Sequence, residues 1–247
     1  MSSLAAAFAE HLLRGRFGRP YFYLERCEST QRMLDAAQPE GAVAVCEEQT
    51  QGRGRMGRRW EAPAGSSVLV SVVLRPPHER RAAELTLVAG VATAIVVERA
   101  TGLAAQIKWP NDVMLDRRKV AGGLAELKDG AVVLGIGLNV NQVRDELPSE
   151  TKAPPGSLRS VTGREYERVP ILVDLLLELE QQYDAWRDGG LDAIYDDLGA
   201  RDFLRGRRVT VDGVAGTSHL ITRDGRLEVS TDSGLLLVES GEVLFER

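Results

Sequence analysis

Four arginines fall within the seven residues Arg53 to Arg59, interleaved with Gly54 and Gly57, preceded by Gly52 and followed by Trp60. Glycine lets the main chain approach a ligand closely and adopt φ > 0 at no steric cost. Arginine presents a planar, permanently charged fork that fits carboxylate and phosphate. The chemistry this loop suits is the capture of an anion under a flexible, electropositive flap. A short Arg/Gly run standing alone is more often solvated surface or a nucleic-acid patch, so the reading turns on whether other segments ask for the same anion.

Three segments do. Lys108-Trp109-Pro110-Asn111-Asp112 sets a cation and a carboxylate around a proline turn; Lys119-Val120-Ala121-Gly122-Gly123-Leu124-Ala125-Glu126 sets a lysine beside small residues; Gly135-Ile136-Gly137-Leu138-Asn139-Val140-Asn141 alternates glycine with apolar residues. Small residues on a strand often mean that a ligand lies flat against the backbone. With Ser29-Thr30-Gln31 ahead of them, these motifs in this order and spacing resemble the catalytic domain of the biotin–protein ligases. The resemblance runs from about Tyr21 to about Asn141 and is weaker through the C-terminal end. It rests on the combination of G-R-G-R-x-G-R-x-W, K-W-P-N-D, K-x-A-G and G-x-G-x-N, not on any one of them.

The resemblance implies an ATP-dependent ligase that activates biotin as biotinyl-5′-AMP. The biotin then passes to the ε-amine of one lysine on a biotin carboxyl carrier domain, that of acetyl-CoA carboxylase, with no Ser or Cys nucleophile. Both reactants of the first step are anions. At about 4 Å two unit charges repel by roughly 1 kcal/mol in water and roughly 4 kcal/mol at an effective dielectric of 20. Closure over them must therefore bring cations, and Mg²⁺ on the ATP phosphates is the implied cofactor.

By the same resemblance Lys119, Arg55 and Arg53 are the catalytic set. Biotin is expected to meet Ser29, Thr30, Gln31, Gln49, Arg53, Gly54, Arg55, Lys119 and Gly122. ATP or the adenylate is expected to meet Lys108, Asn111, Asp112, Trp60, Gly135, Gly137 and Asn139, with Asp112 either orienting Lys119 or touching Mg²⁺. Gln31 stands where the family's S-T-N segment has Asn, its amide one methylene further out. Taken from the residues alone, Ser29 and Thr30 read equally well as helix N-caps, and Lys119 as a strand-edge lysine that discourages aggregation.

Two other functions compete: a lipoate or octanoate acyltransferase of related fold, and a nucleic-acid-binding module built on the Arg loop. A net charge of −5 and a pI of about 5.4 speak against the second, because non-specific nucleic-acid binding needs a surplus of cations. Only about twenty residues precede the matching strand, against the roughly sixty of a helix-turn-helix module, so neither DNA binding nor repression is expected. Cys27 and Cys46 show no metal-ligand spacing, and His11, His78 and His219 are scattered. No apolar run reaches membrane-spanning length and no signal peptide is visible, so a cytoplasmic protein without membrane partners is expected. The resemblance leaves a homodimer open.

The elements that must position these residues follow from patterning. The fold class expected is α+β: a mixed β-sheet catalytic domain of the biotin/lipoate ligase type over residues 1–203, with helices on one face, and a small C-terminal SH3-like β-barrel over 204–247. A short helix capped by Ser2 or Ser3 should carry Leu4, Phe8 and Leu12, and a second, capped by Ser29 or Thr30, should carry Met33, Leu34 and Ala37. Strands are expected at Pro20–Leu24, Gly41–Cys46, Ser67–Leu74, Ala105–Trp109, Val113–Leu115, Lys119–Leu127 and Ala131–Val140, the last two joined by a hairpin at Asp129-Gly130. Helices are expected over Ala82–Ala100 and Val169–Trp186, the latter ended by Gly189-Gly190. Asp-Gly and Ser-Gly turns from Asp212-Gly213 to Ser240-Gly241 mark the small β module, and the Arg loop, with little to bury, should order only over its ligand.

Overall fold

A computed structural model describes residues 3–5, 11–149 and 153–246. Its scaffold is a mixed seven-stranded sheet in the order β1-β2-β3-β7-β6-β5-β4. The strands are β1 (Tyr21–Cys27), β2 (Val43–Gln49), β3 (Ser67–Leu74), β4 (Ala105–Lys108), β5 (Asp112–Leu115), β6 (Arg118–Lys128) and β7 (Ala131–Asn139). Only β1 and β2 run parallel; every other pair is antiparallel. β3 lies inside the sheet and all its residues are buried, as its continuous S-V-L-V-S-V-V-L requires. The turns at Asp116-Arg117 and Asp129-Gly130 take positive φ at both residues (47° and 60°; 45° and 84°), the geometry of tight hairpins.

The two faces of the sheet have different jobs. On one, Val43, Val45, Val70, Val72, Leu134, Ile136 and Leu138 pack beneath α1 (Leu85–Thr101) and α3 (Arg168–Gly189), building the main core. Each such fully buried side chain contributes about 1.5–3 kcal/mol. On the other face the alternate residues of β7 are Ala131, Val133, Gly135, Gly137 and Asn139, and no long helix among the described residues covers them. The residues that the sequence reading expects at the site lie on this second face. α2 (Leu158–Thr162) and α4 (Tyr195–Ala200) are short connecting helices.

The helix expected over Met33–Ala37 is absent. Thr30–Met33 forms one 3-10 turn, Ser29 makes no side-chain cap, and Leu34 is already extended at φ −121° and ψ 145°. Thr30 gives its N–H to Gln49 rather than to a helix, and Pro39 disfavours helix for what precedes it. Leu34 is spent on the small apolar cluster with Ala44, Val73 and Val133. The expected N-terminal helix falls largely on residues outside the described ones.

A second, antiparallel sheet begins at Arg208: β8 (Arg208–Val211), β9 (Val214–Ile221), β10 (Leu227–Thr231), β11 (Gly234–Val238) and β12 (Val243–Phe245), ordered β11-β10-β9-β8-β12. Its apolar residues Val209, Val211, Leu227 and Val229 join the main core. Trp109 is fully buried and donates its indole N–H to the carbonyl of Gly225 at 2.9 Å. The tryptophan of K-W-P-N-D thus fastens the second sheet to the first.

Candidate active site

All of the residues expected to bind or act line one cavity of about 460 Å³ on the open face of the large sheet. Strand register explains much of the convergence. Lys108 pairs with Asp112 across β4 and β5, Asp112 with Gly122 across β5 and β6, and Gly122 with Gly137 across β6 and β7. These residues form one transverse row, in which Lys108 and Asp112 stand directly opposed, about 4.5–5.5 Å apart at Cβ, and the two glycines leave the row open beside them.

Lys119 reaches this face through an irregularity. Register along β5 and β6 jumps from Val113↔Ala121 to Met114↔Lys119, leaving Val120 as an extra residue. Strict alternation would put Lys119 on the same face as Ala121, which packs in the helix-side core with Val120. The bulge reverses the side-chain direction below it. Lys119 Nζ consequently stands 2.6 Å from Asp112 Oδ1 and 5.6 Å from the centre of the Trp60 ring. The backbone of Lys119 is clamped by Pro154 O and by the N–H of Gly156, at 2.7 and 2.8 Å.

One end of the cavity is uncharged. Gln49 Oε1 accepts from the N–H and the hydroxyl of Thr30 at 2.8 and 3.2 Å, and Thr30 Oγ1 lies 2.8 Å from Ser71 Oγ. Gln31 donates its amide to Leu124 O at 2.8 Å, while its buried Oε1 has no partner. The side chain lies flat on β7: a Cβ at Gly135 would be 3.0 Å from Gln31 Nε2. The extra methylene relative to Asn is accommodated because position 135 is glycine.

The other end is cationic. Arg55 is half-buried and approaches Asn111 Oδ1 at 3.4 Å, while Asn111 donates its amide to Gly123 O at 2.9 Å. Burial pulls the Arg55 guanidinium below its ordinary pKa, partly offset by Asp112. Lys108 is also depressed, chiefly by burial, with Asp112 working against the shift and Lys119 adding to it. Lys108 Nζ lies 5.9 Å from the centre of the Phe245 ring, an aromatic of the second sheet. A site that holds cations in dry surroundings gains from an incoming anion.

The Arg loop closes over the cavity as a small hairpin. Arg53 and Arg59 form an isolated bridge, Gly54 donates to Arg58 O at 2.8 Å, and the tip turns at Met56 and Gly57 with φ of 55° and 72°. Arg53 pairs with Glu126 of β6 at 2.8 Å, Arg58 with Glu242 of the second sheet at 3.0 Å, and Arg59 donates to Thr50 O at 2.7 Å. Trp60 lays its ring on the glycine row. A Cβ at Gly137 would sit 2.4 Å from that ring, and one at Gly122 would sit 3.2 Å from it. Trp60 Nε1 is buried without a hydrogen-bond partner.

Two expectations take a different form. Asn139 lines the cavity, yet its amide donates to Gly156 O and accepts from Gln142, both at 2.9 Å, so it fixes the 153–157 loop that clamps Lys119. Arg53 is held by a carboxylate of its own chain. Sequence reasoning missed Gly241, Glu242 and Val243 as cavity walls, together with Pro110, and named Arg58 and Arg59 only as cations of the flap. The charges in the Arg loop pointed to the arginines; nothing local pointed to Glu242. Among the described residues there is no group of three or more His, Cys, Asp or Glu side chains able to hold a metal, and no helix is long and apolar enough to cross a membrane.

Comparison with known proteins agrees with this geometry. Residues 23–142 match the biotin/lipoate A/B protein ligase family. The chain is 36% identical over 230 residues to a biotin–[acetyl-CoA-carboxylase] ligase of Mycobacterium tuberculosis, covering 87% of this chain and 83% of that one. It is 32% identical over 243 residues to the bifunctional ligase/repressor BirA of Bacillus spizizenii, covering 92% of this chain and 74% of the relative. Its structure superposes on a biotin protein ligase from Aquifex aeolicus in complex with biotin and ATP, with a TM-score of 0.83 and 29% identity over 92% of this chain and 98% of that one.

Proposed function

We propose, from the premise that this chain belongs to the biotin/lipoate A/B protein ligase family, that it is a biotin–protein ligase: it activates biotin with ATP and transfers it to a carrier lysine. The observation that carries the reading is the polarity of the cavity of about 460 Å³. Uncharged donors and acceptors from Ser29, Thr30, Gln31 and Gln49 line one end; Arg55, Lys108 and Lys119 line the other. A molecule with a neutral polar head and a carboxylate tail fits that gradient, with the phosphates of a nucleotide beyond the tail.

In this mechanism one oxygen of the biotin carboxylate attacks the α-phosphorus of ATP. The bond from that phosphorus to the β-bridging oxygen breaks, and pyrophosphate leaves with the electron pair. Lys119 is the group we assign to the migrating charge. Its ammonium is a compact point charge that can follow negative charge from carboxylate to bridging oxygen, and Asp112 at 2.6 Å aims it. Arg55 and Lys108 offset the repulsion between the two anions. Mg²⁺ would travel on the ATP phosphates and shield them, since Asp112 is engaged by Lys119 and the described residues offer no larger ligand set.

The ε-amine of the acceptor lysine then attacks the acyl carbon of biotinyl-5′-AMP, AMP departs, and the amine loses its proton. The acceptor is a biotin carboxyl carrier domain of acetyl-CoA carboxylase, and the reaction belongs in the cytoplasm, where ATP and that carrier meet. Residues 1–203 carry the chemistry in this assignment, and 204–247 wall the cavity through Gly241, Glu242 and Val243. Incubation with biotin, Mg·ATP and an isolated carrier domain tests it. Wild type should add one biotin mass to the carrier and Lys119→Ala should be severely slowed; a wild-type enzyme that releases no pyrophosphate from biotin and ATP ends the proposal.

A further inference from the structure

Lys128 belongs to none of the sequence motifs and does not line the cavity, yet its half-buried ammonium stands in the support of the uncharged end. It sits at the last position of β6, just before the Asp129-Gly130 turn. From there Nζ reaches across to donate to Gln31 O and, at 3.0 Å, to Leu34 O. Those two carbonyls belong to the 3-10 turn Thr30–Met33 and the residue that follows it. Within the turn itself, Ser29 contributes no side-chain cap, and a single 3-10 turn leaves its last carbonyls without intrahelical partners.

We propose that Lys128 is a positioning residue for the uncharged end of the cavity, holding the backbone of Ser29-Thr30-Gln31 in register with the sheet so that the Gln31 amide faces the ligand. The proposal rests on assigning that end to the biotin head group. Apart from the Gln31 side chain, the segment is tied to the sheet at three points: Thr30 to Gln49 of β2, Thr30 to Ser71 of β3, and the Gln31 and Leu34 carbonyls to Lys128 of β6. The first two fix Thr30; Lys128 is the tie on the backbone of Gln31. Gln31 has its own bond to β6, from Nε2 to Leu124 O at 2.8 Å, and its Oε1 remains buried and unpartnered. That orphan acceptor is useful only where a ligand N–H meets it, and its place depends on the backbone that Lys128 holds. A charge-assisted bond is among the stronger ties available. The hairpin that carries Lys128 also carries Glu126, the partner of Arg53, so one hairpin steadies both the head-group segment and the flap.

The test is the steady-state release of pyrophosphate by the full chain, with biotin and ATP varied separately, in Lys128→Met, Lys128→Arg and Gln31→Ala. Lys128→Met should raise the KM for biotin about tenfold, as loss of a hydrogen bond involving a charged group predicts, with kcat at saturating biotin and the KM for ATP within about twofold of wild type. Lys128→Arg, which keeps the donor, should recover most of the loss. An unchanged biotin KM in Lys128→Met overturns the proposal. So does a parallel rise of both KM values with a fallen thermal midpoint, the signature of a structural role alone. Should Lys128→Met not fold, Lys128→Gln and the Arg variant carry the same comparison. Gln31→Ala separates the two levels: a raised biotin KM there with none in the Lys128 variants removes Lys128 only. No effect in Gln31→Ala removes the head-group assignment, and the proposal with it.

Discussion

Arg58 of the glycine-rich loop meets Glu242 of the second sheet at 3.0 Å, and both line the cavity. The loop is therefore latched from two sides, by Glu242 and by Glu126, which pairs with Arg53 at 2.8 Å. Both arginines are close to half exposed, at 50% and 44%, so each pair adds only about 0–1 kcal/mol to folding. The consequence is local. Glu242→Gln should leave the thermal midpoint nearly unchanged while trypsin cleaves within Arg53–Arg59 several-fold faster, and saturating biotin with ATP should restore protection. Equal cleavage rates in wild type and variant would show that the latch is idle.

Lys119 and Asp112 should fail together. Lys119→Met removes the ammonium beside the reacting atoms, a change of the kind that costs about 10²–10³ in kcat. Asp112→Asn keeps the ammonium and loses its aim, so a smaller loss is expected. Their double variant should be little worse than Lys119→Met alone, because the carboxylate acts through the lysine. Additive losses in single-turnover adenylation would separate the two residues.

Gly137 is a fit to Trp60. Its Cβ would stand 2.4 Å from the indole, closer than atoms approach, so Gly137→Ala must push the ring off the strand. The variant should lose adenylate formation and show a red-shifted tryptophan emission. Trp60→Ala should rescue Gly137→Ala in part, since it removes the collision. A Gly137→Ala enzyme with wild-type kinetics would mean that the ring does not rest there in solution.

Lys108 is held at a cost. Its pKa is depressed below the ordinary lysine value, chiefly by burial, so the folded protein binds its proton more weakly than the unfolded chain does. The penalty is full below the folded-state pKa and is relieved as pH rises toward the unfolded value. Lys108→Met should accordingly raise the thermal midpoint at pH 7 and raise the KM for ATP. In wild type, loss of the Lys108 proton at alkaline pH should weaken ATP binding on the basic limb of the pH profile. A variant with unchanged ATP affinity would take Lys108 out of the site.

Glu47 gives the opposite sign. Burial alone would raise its pKa, but the Leu4 N–H at 2.6 Å and the Arg168 guanidinium at 2.7 Å outweigh it, and the carboxyl lies below its usual range. Its contribution is complete above the unfolded carboxyl pKa and fades as pH falls through the folded one. Urea midpoints of wild type and Glu47→Gln should therefore differ at pH 7 and converge as acidification protonates the folded-state carboxyl.

Much of this was legible locally. Asp129-Gly130 announced its hairpin because a type I′ turn wants φ > 0 at both positions. Ser67–Leu74 announced a buried strand because nothing polar enough to face water interrupts it for long. The glycines at 122, 135 and 137 announced close approach, although all three receive side chains of the protein itself, Gln31 over Gly135 and Trp60 over Gly122 and Gly137. The segment after Ser29 misled, because a capping residue and three apolar side chains look helical until Gln49 and Lys128 take up the backbone groups of the turn.

The order of motifs by itself carried the family resemblance and the expectation of an anionic ligand: arginines on glycine, a lysine beside small residues and the turn at Ser29-Thr30-Gln31 stand in sequence whatever the fold. Which side of the sheet each residue faces was decided only in three dimensions. Alternation along β6 assigns Lys119 to the helix side; one extra residue at Val120 sends it to the cavity. The partner of Arg58 lies 184 residues away. Bulges and long-range pairs arise from competition among whole strands and sheets for burial, and no local window of sequence contains that competition.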